Sequence, residues 1–414
     1  MTSSTPRPRR NDKLFLLLAL YVSQAIPLGF FLTAMPVILR RSGLSLENVG
    51  LFSAIAFPWL IKFLWAPLLD RWSPGRRRYL SWVTPLQGAA VIMVSVLAFL
   101  DLGTQLPLVI GVSALFMLLA ATQDIASDGL AVTILRRGER GLGNGLQVGG
   151  YYLGQILGGG LILVIFSRFG WTVAVLAMAA FLTLPLLPAA RYPEPVTRDP
   201  QIEGLGMANL VRFFRRSGSL RWSAVVVLFR TGETMATYVF NQMMVDLGVG
   251  LATIGWISGM IYAAGALGGA LLGGVLAQRL ERRRALTTFA TLQAAATGGY
   301  VLAVGGQIWL LGVAAFVMAF TGGMATTALY TSMMDASSQR SAATDFTLQQ
   351  SLSAFGPLAG TALSGFSAAH LGFAGHYVLC ALVTLTTVAL LLGTTLPRQP
   401  EASLAEPAGA RAGA

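Results

Sequence analysis

Hydrophobic residues in this chain gather in long runs separated by short polar intervals. A helix rises about 1.5 Å per residue, so roughly 20 apolar residues cross a hydrocarbon layer about 30 Å thick. Twelve stretches satisfy that length: 14–39, 49–69, 79–100, 106–135, 141–166, 171–190, 222–246, 251–277, 285–304, 307–336, 341–369 and 373–396. The longest polar interval, 191–221, carries six arginines and Pro193, Pro195 and Pro200. It reads as a linker between two halves, 1–190 and 222–396. Part of it, with Leu210, Val211, Phe213 and Phe214 beside Arg212, Arg215 and Arg216, has the pattern of an amphipathic segment lying on a membrane surface. Residues 397–414 are rich in Ala, Pro and Gly and read as a disordered tail.

Composition agrees with the runs. Hydrophobic residues make up 55% of the 414 and charged ones 11%, too apolar for a protein with a polar exterior. A lipid-facing surface resolves this, so the expected fold class is an all-α membrane protein of twelve transmembrane helices, with the lipid bilayer as its partner.

The net charge of +12 would point to nucleic acid only if the basic residues formed one patch. Instead, 24 of the 29 lie in every second connection, three (Arg40, Arg41, Arg168) lie in the alternate connections, and two, Lys62 and Arg230, fall within helices. That asymmetry follows the positive-inside rule. It predicts both termini in the cytoplasm, an even number of crossings and no nucleic-acid partner. The first run, Leu14 to Leu39, exceeds a signal-peptide core and reads as a retained first helix. One cysteine, Cys380, and two histidines, His370 and His376, leave no basis for a disulfide framework or a multi-His metal site. No cofactor is expected. With no metal pair, nucleophile elbow or histidine base in the pattern, an enzyme is not expected either.

The halves repeat one another. Gly43, Leu46, Val49 and Gly50 match Gly248, Leu251, Ile254 and Gly255 at an offset of 205. Leu146, Gln147, Gly154 and Gly158 match Leu348, Gln349, Gly356 and Gly360 at an offset of 202. Two six-helix bundles with a substrate site at their interface are implied. Glycine stripes at four-residue spacing, Gly150/Gly154/Gly158 and Gly265/Gly269/Gly273, predict close helix packing, on faces smooth enough for halves to slide.

Ionisable residues inside the runs are the sharpest pointers to function, because an uncompensated charge in hydrocarbon must face a partner or a wet cavity. Gln24, Arg230 and Glu233 all fall about 12 to 17 Å deep in their helices, forming one polar layer. Lys62 and Asp128 share a depth roughly 12 Å from the basic end, with Asp124 one turn further in, so Lys62 can pair with either carboxylate. Arg230 and Glu233 are either a self-neutralising i, i+3 pair or a substrate anchor and a proton-coupling carboxylate. Candidate substrate-binding residues are Gln24, Trp59, Gln123, Gln147, Tyr151, Arg230, Asn241 and Gln349, with Tyr152, Gln242 and Gln350 as further groups able to line a cavity. Candidate proton-coupling residues are Asp124, Asp128, Glu233 and Lys62.

Residues 66–78, APLLDRWSPGRRR, join the second and third helices and resemble the major facilitator signature G-x-x-x-D-R-x-G-R-R. Ala66 replaces the first glycine, and Trp72, Ser73 and Pro74 make a spacer longer than the signature's. The matching loop of the second half, Gly274 to Arg283, keeps the spacing but has Gln278 and Glu281 in the Asp and Gly places. The resemblance implies gating by Asp70, Arg71 and Arg76. Asp70 can accept from backbone donors at a helix N-terminus of the other half, while the arginines hold lipid phosphates. The plainer reading is that the arginines only fix topology.

Residues 23–71, with SQ-x-x-P and KFLWAPLLDR, together with ATQDIASDG at 121–129 and AATDFTLQQ at 342–350, resemble the AmpG muropeptide permeases. Together with the length and the compact loops, these motifs resemble most the RhtX/FptX branch of siderophore permeases, pyochelin-type members in particular. The resemblance implies a major facilitator fold in the bacterial inner membrane and proton-driven import of a ferric siderophore by alternating access. A ferric siderophore wraps its own metal, so its carrier needs an amphipathic cavity rather than His or Cys ligands. The alternatives are an anhydro-muropeptide permease and, from another class, a membrane receptor that translocates nothing. A monomer is expected.

Overall fold

A computed structural model describes residues 9–41, 52–194 and 206–394. The tail 397–414, most of the linker's first half and the 43–50 copy of the first repeat lie outside the described residues. Among the described residues, seven continuous helical stretches are long and apolar enough to cross a membrane, and two of them, Arg140–Arg191 and Ala342–Gly393, are double-length. Each double stretch is interrupted by a glycine at positive φ, Gly170 at 81° and Gly372 at 67°. Side chains rarely adopt that conformation, so glycine marks where one span ends and the next begins. The two glycines stand at the 202-residue offset of the internal repeat.

Three further spans are less regular. Pro58 and Pro67 help divide residues 52–71 into short α and 3-10 pieces, because proline lacks the donor a continuous helix needs. Residues 219–246 are interrupted beside Arg230, and Arg282–Ala303 opens with three arginines. The spans are therefore α1 (Arg10–Arg41), α2 (52–71), α3 (Leu80–Leu97), α4 (Leu106–Ile134), α5 (140–169), α6 (171–191), α7 (219–246), α8 (Leu251–Arg279), α9 (Arg282–Ala303), α10 (Ile308–Ala336), α11 (342–371) and α12 (373–393). A short linker helix, Ala208–Phe214, buries Asn209 and Phe213 and packs beside the double stretch Ala342–Gly393.

Large apolar side chains such as Ile92, Phe99, Leu302 and Phe366 point outward, as a lipid-facing surface requires. The buried apolar residues form three bodies. One, at the arginine-rich end, unites both halves: Tyr21, Tyr79 and Leu130 pack in it with Trp222, Phe289 and Phe346. The second belongs wholly to the first half and the third wholly to the second half, both toward the opposite end. The halves are thus fused at the arginine-rich end and separate at the other.

The repeat glycines do equivalent work. A Cβ on Gly154 would stand 2.6 Å from the Val22 carbonyl oxygen, and one on Gly158 would overlap the Ile26 carbonyl, so α5 rides directly on α1. Gly356 and Gly360 bring α11 onto α7 in the same way, at Val227 and at Thr231 and Met235. The stripe Gly265/Gly269/Gly273 packs α8 on α10. Both stripes make the close helix packing expected of them, each inside its own half. The contact between halves uses Gly141, Gly145 and Gly149 of α5, set against Gly274, Ala270 and Leu267 of α8. The intervening positions of α5 face that way because four-residue steps keep one face and a one-residue phase shift turns to another.

Candidate functional site

Between the halves lies a cavity of about 680 Å³, within the range of small-molecule sites. Tyr21 and Gln24 of α1, Trp59 and Lys62 of α2, Asp124 of α4 and Gln147, Tyr151 and Tyr152 of α5 line one side. Arg230 of α7, Tyr330 of α10 and Gln350 of α11 line the other.

Two charged nests occupy this wall. In the first, Lys62 forms a buried ion pair with Asp124, lies 5.2 Å from the centroid of the Trp59 ring, and donates to Gln350 Oε1 at 2.7 Å. Asp128 sits just behind, accepting from Gln147 Nε2 at 2.9 Å and from the Tyr21 hydroxyl at 3.3 Å. In the second, Arg230 Nε lies 3.6 Å from Glu233, a charge contact longer than a hydrogen bond. Glu233 also accepts from the Tyr262 hydroxyl at 3.2 Å. Arg230 keeps about 29% of its side chain exposed, and Tyr152 packs edge-on to Tyr262 close by. The i, i+3 pairing alone does not absorb the guanidinium, whose remaining face is turned to the cavity.

Several wall groups have unfilled hydrogen-bonding capacity among the described residues. These are the Trp59 indole nitrogen and the amide oxygens of Gln24 and Gln147, whose amide nitrogens are already given to Ser127 and Asp128. A buried polar atom without a partner is costly, so these are positions for water or a polar ligand.

The structure brings together Gln24, Trp59, Lys62, Asp124, Gln147, Tyr151 and Arg230, with Asp128 and Glu233 one layer behind. Three expected lining residues are elsewhere. Gln123 faces away and donates to Gln87. Asn241 accepts from Ser258 Oγ at 2.5 Å, outside the cavity. Gln349 is fully buried, accepting from Trp222 Nε1 at 2.7 Å and donating to the Met333 and Asp345 carbonyls. Its neighbour Gln350, about 100° further round the helix, is the one that faces the cavity.

At the arginine-rich end Asp70 of α2 reaches the first turn of α11. Its carboxylate accepts from the Thr344 backbone N–H at 2.8 Å, the Thr344 hydroxyl at 2.6 Å and the Ala343 N–H at 3.2 Å. A helix N-terminus presents unpaired donors and partial positive charge, so this is a favourable seat for a carboxylate. Tyr79 Oη at 2.7 Å and Arg78 Nη2 at 3.2 Å complete the set, and Arg78 also donates to the Gln339 and Arg340 carbonyls. Arg71 and Arg76, expected here, are exposed and outside this network; the three-residue spacer after Arg71 carries the loop on so that Arg78 turns inward instead.

Sequence reasoning missed a second bridge. Asp335 of α10 accepts from Arg140 of α5 at 2.7 Å and from Arg282 of α9 at 2.7 Å. A carboxylate at an otherwise basic end was its visible signal. Arg216 of the linker adds a 2.7 Å pair with Asp345 in the first turn of α11. In the connection before α5, burial opposes ionisation of Glu139, but the Arg136 N–H and Lys13 outweigh it and hold the carboxyl below its usual range. Lys13 meets Glu139 at 3.0 Å and so fastens α1 to this end.

A closed, bonded floor beneath a cavity between two repeats is the geometry of a carrier that opens to one side at a time. Residues 222–413 match the family model of the Major Facilitator Superfamily, and residues 13–109 that of acetyl-coenzyme A transporter 1. The anhydromuropeptide permease of Escherichia coli (strain K12) is 30% identical over 403 residues, covering 95% of this chain and 82% of that one. The chain belongs to the major facilitator superfamily. Solved structures agree on the fold of this major facilitator transporter. The human organic anion transporter MFSD10 superposes with a TM-score of 0.73 over 93% of this chain and all of its own, at 15% identity. The transporter FucP, in its outward conformation, gives 0.71 over 92% and 98%, at 14% identity. The chain is thus a multi-pass secondary transporter. The likeness to the anhydromuropeptide permease backs the muropeptide alternative better than the siderophore reading expected from the motifs, length and loops.

Proposed function

We propose that this transporter carries anhydromuropeptides across the bacterial inner membrane by alternating access, into the cytoplasm and coupled to protons. The observation that carries the reading is the 30% identity to the Escherichia coli permease, which runs through 95% of this chain. The arginine clusters favour a cytoplasmic side for the fused end and both termini, and on this reading the cavity is entered from the periplasm.

The cavity suits such a ligand. A muropeptide joins amino sugars, with hydroxyls and amides, to a peptide bearing carboxylates. Arg230 supplies a charge for a carboxylate. Trp59, Tyr151 and Tyr152 offer faces for sugar C–H groups, and the unfilled donor and acceptors of Trp59, Gln24 and Gln147 meet hydroxyls and amides. The nest of Lys62, Asp124 and Asp128 holds one cation against two carboxylates, so a proton on either acid balances it. That is a physical basis for coupling, with Glu233 beside Arg230 as a second acid whose protonation frees the guanidinium for substrate. The protein acts as a monomer, the cavity being complete within one chain.

The test is expression in a bacterium lacking its own anhydromuropeptide permease. Wall fragments lost to the medium should be recovered by cells carrying this chain. Fragment loss unchanged by expression, together with restored ferric siderophore uptake in a siderophore-permease mutant, would replace this reading by the siderophore one.

A further inference from the structure

The charged nest of the first half is tied to the second half by a neutral residue. Gln350 of α11 accepts from Lys62 at 2.7 Å and also approaches Asp128. α2 and α11 are therefore pinned at two levels, by Lys62 and Gln350 in the cavity wall and by Asp70 and Thr344 at the arginine-rich end. The pins are about 12 Å apart along α2 and roughly 9 Å apart along α11. The outer pin is sealed from the cavity, since Asp70 is buried with five donors around it. The inner pin is not, because Lys62 and Gln350 both line the cavity.

We propose that Gln350 is a positioning residue for transport: through Lys62 it holds α11 to the nest, and a substrate hydroxyl or amide oxygen releases it by taking its place. The chemistry favours that exchange. The lysine ammonium has three donors, of which Asp124 and Gln350 take one each. An arriving carboxylate would meet Asp124 and Asp128 beside it. A neutral oxygen would not, and it replaces the amide oxygen of Gln350 like for like, so the bond changes partners at little net cost. Once Gln350 is released, α11 is held to α2 by the outer pin and by the apolar core that Ala66 and Leu69 share with Phe346 and Leu348. Anion recognition at Arg230 and neutral recognition at Lys62 then divide one ligand between the halves.

The inference rests on the muropeptide reading for the ligand but not for the pin, and the experiment separates the two. Spin labels on Arg71→Cys and Arg279→Cys, both exposed at the arginine-rich end on opposite halves, report the separation of the halves in the full chain; Cys380 is buried and does not take the label. Without ligand, Gln350→Leu should raise the long-distance population, and Gln350→Met, which keeps the length of the side chain but not its amide, should raise it as far. A role confined to local packing would leave Gln350→Met at the parent value. Adding an anhydromuropeptide should lengthen the distance in the parent and add little in Gln350→Leu. A parent-like ligand-free distribution in either variant would overturn the proposal. Raised populations in both variants without any ligand response in the parent would leave the pin standing and remove the muropeptide reading.

Discussion

Arg230 shows at single-residue scale how a buried charge is divided between structure and function. Glu233 balances it at 3.6 Å, yet 29% of its side chain stays exposed in the cavity wall. A charge-assisted hydrogen bond contributes about 1.5 to 3 kcal/mol, so Arg230→Gln should weaken binding of a carboxylate-bearing muropeptide roughly ten- to hundredfold. A sugar fragment without the carboxylates should bind both forms alike. Titration calorimetry on the purified protein with both ligands checks this, and equal losses for the two would place Arg230 in the framework rather than in recognition. The outer latch gives a second prediction. Asp70→Asn presents an amide N–H where the Thr344 donors point and loses the charge that suits the helix terminus. The closed end should lose about 1.5 to 3 kcal/mol, seen as a larger long-distance population in the same spin-label pair while ligand affinity changes little.

Much of this site was legible in the sequence, and the failures have a common cause. Depth along a helix follows from counting residues, and Lys62, Asp124 and Arg230 all reach the cavity wall, with Asp128 behind them. Direction around the helix does not follow when the apolar pattern is nearly uniform, as in a span surrounded by lipid and protein alike. Gln349 and Gln350 are adjacent and chemically identical, and only packing against Trp222 decides which one is buried. The repeat misleads in the same way, since Gln147 meets the cavity while its partner in the other half, Gln349, braces α11. Arg76 and Arg78 differ by two residues in a loop whose extra spacer changes which one turns inward.

Between helices, the glycines separate two kinds of contact that sequence spacing alone does not. Gly158 meets the backbone of α1 within one half, whereas Gly145 meets Ala270 and Gly274 across the halves. A valine at Gly158 has no flexible neighbour to displace and should lower the apparent melting temperature of the detergent-solubilised protein by several degrees, as overpacking costing about 1 to 3 kcal/mol does. Gly160→Val is the control, because a side chain there meets open space. Gly145→Val should act differently, wedging the arginine-rich end open and enlarging the long-distance population with a smaller thermal loss. Equal thermal losses at Gly145 and Gly158, without any change in separation, would mean that the α5 to α8 face is fixed rather than movable.

The whole molecule is a pair of helical bundles fused at one end through a shared apolar core, the Asp70 hydrogen bonds and the Asp335 ion pair, with that core divided at the other end. Transport requires the division to change ends, and the weak points for that are the polar bonds across the halves at Asp70, Asp335 and Lys62. Counter-transport in liposomes reads the result directly: vesicles containing the purified protein and loaded with unlabelled anhydromuropeptide are diluted into labelled ligand, with and without an inward proton gradient. Label should accumulate inside transiently without the gradient and stay concentrated with it. Vesicles that bind the ligand but never concentrate it, under either condition, would rule out carriage of this ligand by alternating access.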